Sequence, residues 1–577
     1  MRLRCLASVI PVFLAGCATI EKGPAPASAF TPVPAAISMN ANDAALRLDQ
    51  NDYTNLTVTV DGSPMKVRRY EAVYVARPVA MAEEQVTGIQ AGGPGDHGDP
   101  GIPAGDTTAG QETAHNPYEM QSLIIYVPEN ADTDSAIILH VNNAGWFASP
   151  VKELLADGEA LVSDSNEDRF GKGLAEGYVL VSLGTRSRRA IGADGSYAGK
   201  APAVVVDAKA AVRYLRLNDD LLPGSAEQIV ITGTSGGGGL STIVAASGNS
   251  DDFFPYLAEI GAAGIGADGN STIRDDVFAT IAYCPITDLG HADLAYEWLY
   301  GAIRTDGNTR GGLSEAALAS SKTLTANYPA YLESLGLTYE GAPMGAVQMR
   351  AAIKAQVVAE VEKHLALGGE VPTLGETFSV SNRGQTSDVE NTWLTVGNGR
   401  IEVDFEAYLE FVTRTSQLKT SPAFDTTANS GHEGVQGEDT LFGPASLEYM
   451  NFTPYGWDHN EVAGDGSGSD DTGEDFAAYT AGEGAELARQ IALIDPFTYL
   501  SSEADAAPYW YVRHGMIDRD TAFAVPVALT YAAKADESIR DVNFALAWMR
   551  PHSGNYDVQE AYHWLAQKLA EAQPGQE

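Results

Sequence analysis

The sequence predicts a doubly wound, mostly parallel α/β sheet carrying a large inserted cap. Three features predict it. Short, wholly apolar, β-branched runs alternate with helical periodicities, the pattern of strands buried on both faces and joined by crossover helices. One such run, residues 229–232, breaks into Gly233-Thr234-Ser235-Gly236-Gly237 and leads into a small-residue helix over 241–246. Between 288 and 493, after one core strand and before sheet strands resume, helical stretches alternate with polar, glycine-rich segments.

The amino end reads as a targeting segment. Residues 1–16 hold Arg2 and Arg4, an apolar stretch over 6–13, and then Leu14-Ala15-Gly16 before Cys17. A basic start, a short apolar core and small residues before a cut make a secretory signal. Leu-Ala-Gly-Cys is similar to a bacterial lipobox, which implies that Cys17 becomes the lipidated first residue of the mature chain; a plain secretory signal is the alternative. Ala18, rather than an aspartate, points by resemblance to Gram-negative lipoproteins toward the outer membrane. Residues 17–45 read as a tether. No later stretch approaches the ~18 apolar residues of a membrane span. The expectation is an extracytoplasmic body held to a membrane only by its N-terminal lipid.

Composition narrows the partners. Lys and Arg number 36 against 77 Asp and Glu, for a net charge of -41 over 577 residues. So acidic a chain argues against nucleic acid and anionic lipid as binding partners. Of three cysteines, Cys5 leaves with the signal and Cys17 is lipidated. Cys284 remains alone, so neither an intrachain disulfide nor a cysteine metal site is available. The length exceeds one typical domain. The boundaries read as a first core part over 46–287, a cap over 288–493 and a second core part over 494–577.

Within the first part, strands are expected at 56–60, 67–75, 122–127, 136–141 and 178–183. Residues 88–116 are rich in Gly, Pro and Asp without a period, a long solvated loop. His97 and His115 within it read as loop residues rather than metal ligands. Residues 207–217 form an amphipathic helix leading into the Ser235 segment, and 277–286 is the next buried strand. In the cap, 344–367 and 405–418 are helical. Residues 464–475 space their aspartates loosely like a calcium loop but without its register, and read as linker. The sheet resumes at 510–513, followed by a helix over 522–533 and a last strand over 542–548.

Strand, tight glycine turn and helix are the context of a nucleophile elbow, which holds a serine Oγ at the carboxyl edge of a sheet. Ser235 is therefore the candidate nucleophile. The Gly236 amide is a candidate oxyanion donor, with a second from the loop after an earlier strand, Gly145 or its neighbour Ala144. The alternative is an ordinary serine in a glycine-rich connection, and for Gly145 a plain strand-end turn. His514-Gly515-x-x-Asp518 after a late strand supplies a candidate acid in Asp518. Of ten histidines, His552 alone follows the final strand in a Gly-flanked turn, which makes it the candidate base. The order Ser235, Asp518, His552 is that of α/β-hydrolases. Such chemistry needs no metal and no cofactor.

Longer motifs carry a family resemblance. These are Gly233-Thr234-Ser235-x-Gly237-Gly238; Tyr283-Cys284-Pro285-Ile286-Thr287-Asp288 running into His291-Ala292-Asp293-x-Ala295-Tyr296-Glu297-Trp298; Lys419-x-x-Pro422-Ala423-Phe424-Asp425; Leu441-Phe442-Gly443; and Arg513-His514-Gly515-x-x-Asp518-Arg519-Asp520-Thr521. Together they resemble bacterial tannases, lid-bearing α/β-hydrolases that cleave galloyl esters. The resemblance implies that Ser235, Asp518 and His552 form the triad. It also implies that Lys419, Asp520 and Glu438, with Glu433 as rival to the last, hold the galloyl hydroxyls. A site built to bond three phenolic hydroxyls rejects rings lacking them by up to ~10⁴–10⁵. Fungal relatives pair cysteines beside the serine and histidine; Thr234 and Pro551 stand there, as in the bacterial type. Two other functions remain open at this point: a feruloyl or general aryl carboxylesterase of the same fold, and a surface lipoprotein that binds polyphenols without turnover.

Overall fold

Apolar β-branched runs become the strands of a single ten-stranded sheet. Its strands are β1 (Thr54–Val60), β2 (Ser63–Val73), β3 (Ser122–Pro128), β4 (Ile137–Val141), β5 (Ala160–Leu161), β6 (Val179–Leu183), β7 (Ile229–Thr234), β8 (Ala279–Tyr283), β9 (Tyr509–Gly515) and β10 (Asp541–Ala547). The structure, a computed structural model, describes residues 40–87, 110–113, 116–266, 268–382, 384–426, 437–460 and 462–572. The sheet order is β10-β9-β8-β7-β4-β6-β3-β2-β1-β5. The six strands from β10 to β6 run parallel; β3 is antiparallel to both β6 and β2.

Successive residues of the central strands point to opposite faces. Ile229 and Ile231 enter one core with helices α1 (Ala203–Leu217), α2 (Gly236–Ala246) and the later helix Ala524–Ala535, while Val230 enters the other with Arg169–Ala175 and Val558–Ala572. Helices on both faces explain why these strands are unbroken apolar runs rather than alternating ones. This is an α/β-hydrolase-like fold with an additional region.

That region leaves the sheet after β8 and returns at β9. It begins with α3 (Leu289–Tyr300) and includes α4 (Ala346–Ala366), α5 (Phe405–Thr415) and three two-stranded hairpins. Its buried Trp393, Tyr408 and Phe411 are continuous with the core on the α2 face. Residues 39–577 accordingly form one unit.

Several expectations need correction. Residues 41–45, read as tether, form a capped helix whose Asp43 is buried and accepts from the Gly264 amide at 2.7 Å. Residues 110–113, read as loop, pair with Glu84–Thr87 in an antiparallel hairpin. The stretch read as linker is an ordered turn, because Asp471 accepts the Gly464 and Gly466 amides at 2.9 and 2.7 Å. α1 starts a turn before residue 207, and α2 starts at Gly236, not at 241. The glycine run that disguised α2 lets it pack against backbone: a Cβ at Gly239 would lie 2.2 Å from the Ile286 carbonyl oxygen.

Candidate active site

The β7–α2 turn is as sharp as its sequence requires. Ser235 has φ 63° and ψ −125°, a left-handed conformation that costs on the order of 1–3 kcal/mol in a non-glycine residue and persists only where its surroundings hold it. They do. Ser235 donates its amide to the Tyr283 carbonyl at 3.0 Å, and its own carbonyl accepts from Ile286 and Gly239 at 3.1 and 2.9 Å. Gly236 lies so close to the loop after β4 that a Cβ would meet the Asn143 oxygen and the Trp146 nitrogen at 2.4 Å. Gly236 opens α2 and Gly145 (φ 60°) sits in the first turn of the 3₁₀ segment Ala144–Trp146. First-turn amides of helices have no intrahelical acceptor. Two donor-bearing turns thus face each other beside Ser235.

His552 reaches this turn from the loop after β10. Its Nε2 lies 2.8 Å from Ser235 Oγ, and its Nδ1 lies 2.7 Å from Asp518 Oδ2. The other Asp518 oxygen accepts the Asp520 amide at 2.8 Å. Asp518 is fully buried. Burial pushes its carboxyl up, but His552, His514 and the hydrogen bonds from His552 and the Cys284 thiol hold it down at about 2. A buried carboxylate, an imidazole and a serine hydroxyl in one hydrogen-bonded line can deprotonate the hydroxyl as it attacks a carbonyl.

A second group of polar side chains lines the insertion's side. Glu438 is buried in the 3₁₀ turn Glu438–Leu441; burial pushes its carboxyl up, while Lys419 and Arg188 favour its ionised form. Burial pulls the Lys419 ammonium down to about 8 against the attraction of Glu438, with Arg519 pushing the same way as burial. Lys419 Nζ also lies 3.9 Å from the centre of the Phe424 ring. Asp520, next to the Asp518 loop, pairs with Arg519. The structure therefore draws Lys419, Glu438 and Arg519 within electrostatic reach of one another, with Asp520 held to Arg519. Glu433, His97, His115, His432 and Cys17 lie outside the described residues.

Sequence reasoning missed residues that hold this group in place. Arg188 bonds the Gly145 carbonyl and Thr440 Oγ1 at 2.9 and 2.7 Å. Asp293 accepts the amides of Ala423, Phe424 and Asp425 at 2.6, 2.9 and 3.0 Å. Arg304, paired with Glu297, donates to the Lys419 carbonyl at 2.6 Å. Cys284 Sγ lies 3.1 Å from the Ser553 carbonyl oxygen, next to His552. Asp293 and Glu297 belong to the motif over 291–298, where periodicity alone gives them no role; no local signal marks Arg188, whose partners are far away in sequence.

Comparison with known proteins finds similar folds. The BD-FAE family model matches residues 123–297. Comparison with curated proteins gave no match. The structure of a Fusobacterium nucleatum tannase is similar at TM-score 0.66 and 27% identity, over 91% of this chain and 99% of that one. A native tannin acyl hydrolase from Lactobacillus plantarum is similar at 0.67 and 26%, over 91% and 99%. A tannin acyl hydrolase in complex with ethyl gallate is similar at 0.66 and 27%, over 91% and 98%. Fold and site define a carboxylic ester hydrolase of the α/β-hydrolase class. Within that class the chain is similar in motifs and structure to bacterial tannases.

Proposed function

We propose that this protein hydrolyses galloyl esters of hydrolysable tannins and alkyl gallates, releasing gallic acid through an acyl-enzyme. The reading is carried by one observation: the unbroken line from Ser235 through His552 to Asp518. His552 takes the Ser235 proton as Oγ attacks the galloyl carbonyl. Gly236 and Gly145 donate to the oxyanion, and Asp518 orients His552 and stabilises its imidazolium. The C–O bond to the alcohol breaks, and His552 protonates the departing alkoxide. Water, activated by His552, then releases gallate. Lys419, Glu438 and Asp520 bind the ring hydroxyls, a cation and two carboxylates suiting three adjacent phenols. The relatives' names support the galloyl specificity.

The test is methyl gallate hydrolysis by the form lacking residues 1–17, with methyl ferulate as control. Gallate release with little ferulate turnover is expected, and Ser235→Ala should lose activity by at least ~10³-fold. Preferential ferulate turnover sinks the galloyl pocket but keeps the triad; an active Ser235→Ala sinks the mechanism. The lipobox-like segment supports a second part of the reading, attachment through lipidated Cys17 to the outer membrane, with Cys17→Ser expected to leave the membrane fraction. Continued sedimentation of that variant with membranes overturns the anchor.

A further inference from the structure

We propose that Arg188 is a positioning residue that couples recognition of the acyl-ring hydroxyls to the oxyanion loop, so that preference for the galloyl ring is expressed in kcat as well as in KM. This rests on the reading of Glu438 as a hydroxyl acceptor and of Ser235 as the nucleophile.

The side chain stands between the two walls of the site. It is 2% exposed. Toward the core, Nη1 donates to the Gly145 carbonyl at 2.9 Å and the guanidinium lies 4.4 Å from the Phe147 ring centre. Toward the insertion, Nε donates to Thr440 Oγ1 at 2.7 Å, and Nη1 lies 3.9 Å from Glu438 Oε1. Gly145 and Phe147 flank the donor turn facing Gly236; Glu438 and Thr440 belong to the turn that faces Lys419.

A guanidinium is a rigid planar fork, so its contacts cannot relax independently. A displacement of Glu438 toward a bound hydroxyl tilts the plane and pulls on the Gly145 carbonyl. That carbonyl fixes ψ of a glycine at φ 60°, a residue with little conformational preference of its own. The peptide plane that the Gly145 carbonyl shares with the Trp146 N–H is thereby held from outside rather than by local propensity, and it anchors the turn that presents the Gly145 N–H. A ring that engages Glu438 seats the fork and the donor turn together; a ring without hydroxyls leaves the fork with one carboxylate unengaged. The electrostatics agree: burial lowers the proton affinity of Arg188 and Glu438 restores part of it, while Arg188 and Lys419 together favour ionised Glu438.

The test compares phenyl gallate with phenyl benzoate, which share a leaving group, in the parent, Arg188→Lys, Glu438→Gln and the double variant. Arg188→Lys keeps a cation and loses the fork. It should lower kcat for the gallate by at least about tenfold, the scale of one hydrogen bond to a charged group. The benzoate kcat should fall much less, so the kcat ratio collapses. The double variant should be little worse than the poorer single one, since the two substitutions break one linkage. Thr440→Val, which removes the Nε acceptor and a bond of 3.4 Å to the Gly437 carbonyl while leaving Arg188 itself intact, should move the ratio the same way and guards against misfolding of Arg188→Lys. Equal losses on both esters, or losses that multiply in the double variant, overturn the coupling and leave Arg188 a structural residue. An unaltered gallate preference in Glu438→Gln overturns the pocket reading and the coupling with it. Residual activity in Ser235→Ala marks failure of the mechanism instead.

Discussion

Lys419 carries the clearest pH signature of any single residue in the site. Its ammonium is pushed down to about 8 by burial, with Glu438 opposing. Below that pH the amine is charged and can donate to a phenolic oxygen; above it the charge and one donor are lost. KM for methyl gallate should therefore climb as pH passes about 8, while kcat, set by the Ser235–His552–Asp518 line, changes less. Lys419→Met should raise KM throughout and flatten that climb, and a pH series of initial rates checks both. A KM that stays flat in the parent across this range removes Lys419 from substrate contact. What was legible at this scale is what chemistry concentrates locally. Ser235 announces itself because strand, glycines and helix must all be adjacent in sequence for the turn to form. Arg188 is silent because its meaning lies in Gly145, Glu438 and Thr440, which only the folded chain brings to it.

Among the elements, α3 explains why so long a motif is needed where the chain leaves the sheet. One face of this helix supplies Asp293 to three consecutive amides at 423–425, Tyr296 Oη to the Lys419 amide at 3.0 Å, and Glu297 to Arg304, which in turn holds the Lys419 carbonyl. Spacings of three and four from Asp293 to Tyr296 and Glu297 place these groups on the side packed against the 419–425 segment. Asp293→Ala would leave buried amides without acceptors, at about 1–3 kcal/mol for each one left unmet. We expect a lower urea midpoint and a raised KM for methyl gallate, with kcat for phenyl benzoate nearly unchanged. Loss of stability without any change in KM would show that the Lys419 segment keeps its place by packing alone. Strand positions were readable because apolar runs and periodicity are local signals. Helix starts were not, because glycines at the head of α2 look like a loop until the backbone of the neighbouring Ile286 segment is there to demand them. The hairpin at 110–113 was hidden for the opposite reason: its pairing with Glu84–Thr87 is made across a long intervening stretch of sequence, and its composition alone favours a turn.

For the whole molecule, the dominant physical quantity is the net charge of -41. Its fold class was legible because a doubly wound sheet leaves buried strands with no polar face. The charge has a separate consequence, since a surface of one sign repels itself and weakens the compact state. Buried pairs such as Lys209–Asp275 at 2.8 Å and Arg213–Asp275 at 2.7 Å are shielded from solvent ions and respond little to salt. Exposed carboxylates respond strongly, because the screening length falls from roughly 30 Å at 0.01 M to about 10 Å at 0.1 M and about 3 Å at 1 M. The melting temperature of the form lacking residues 1–17 should therefore rise between 0.01 and about 0.5 M sodium chloride and then level off as screening saturates. Most of the gain should come at the low end, where the screening length is longest. Potassium chloride should act identically, because the effect depends on ionic strength rather than on a bound ion. A gain confined to a divalent salt would instead mean that particular carboxylates bind a cation, and a melting temperature indifferent to every salt would mean that local ion pairs already neutralise the surface. Scanning calorimetry in the three salts separates these outcomes.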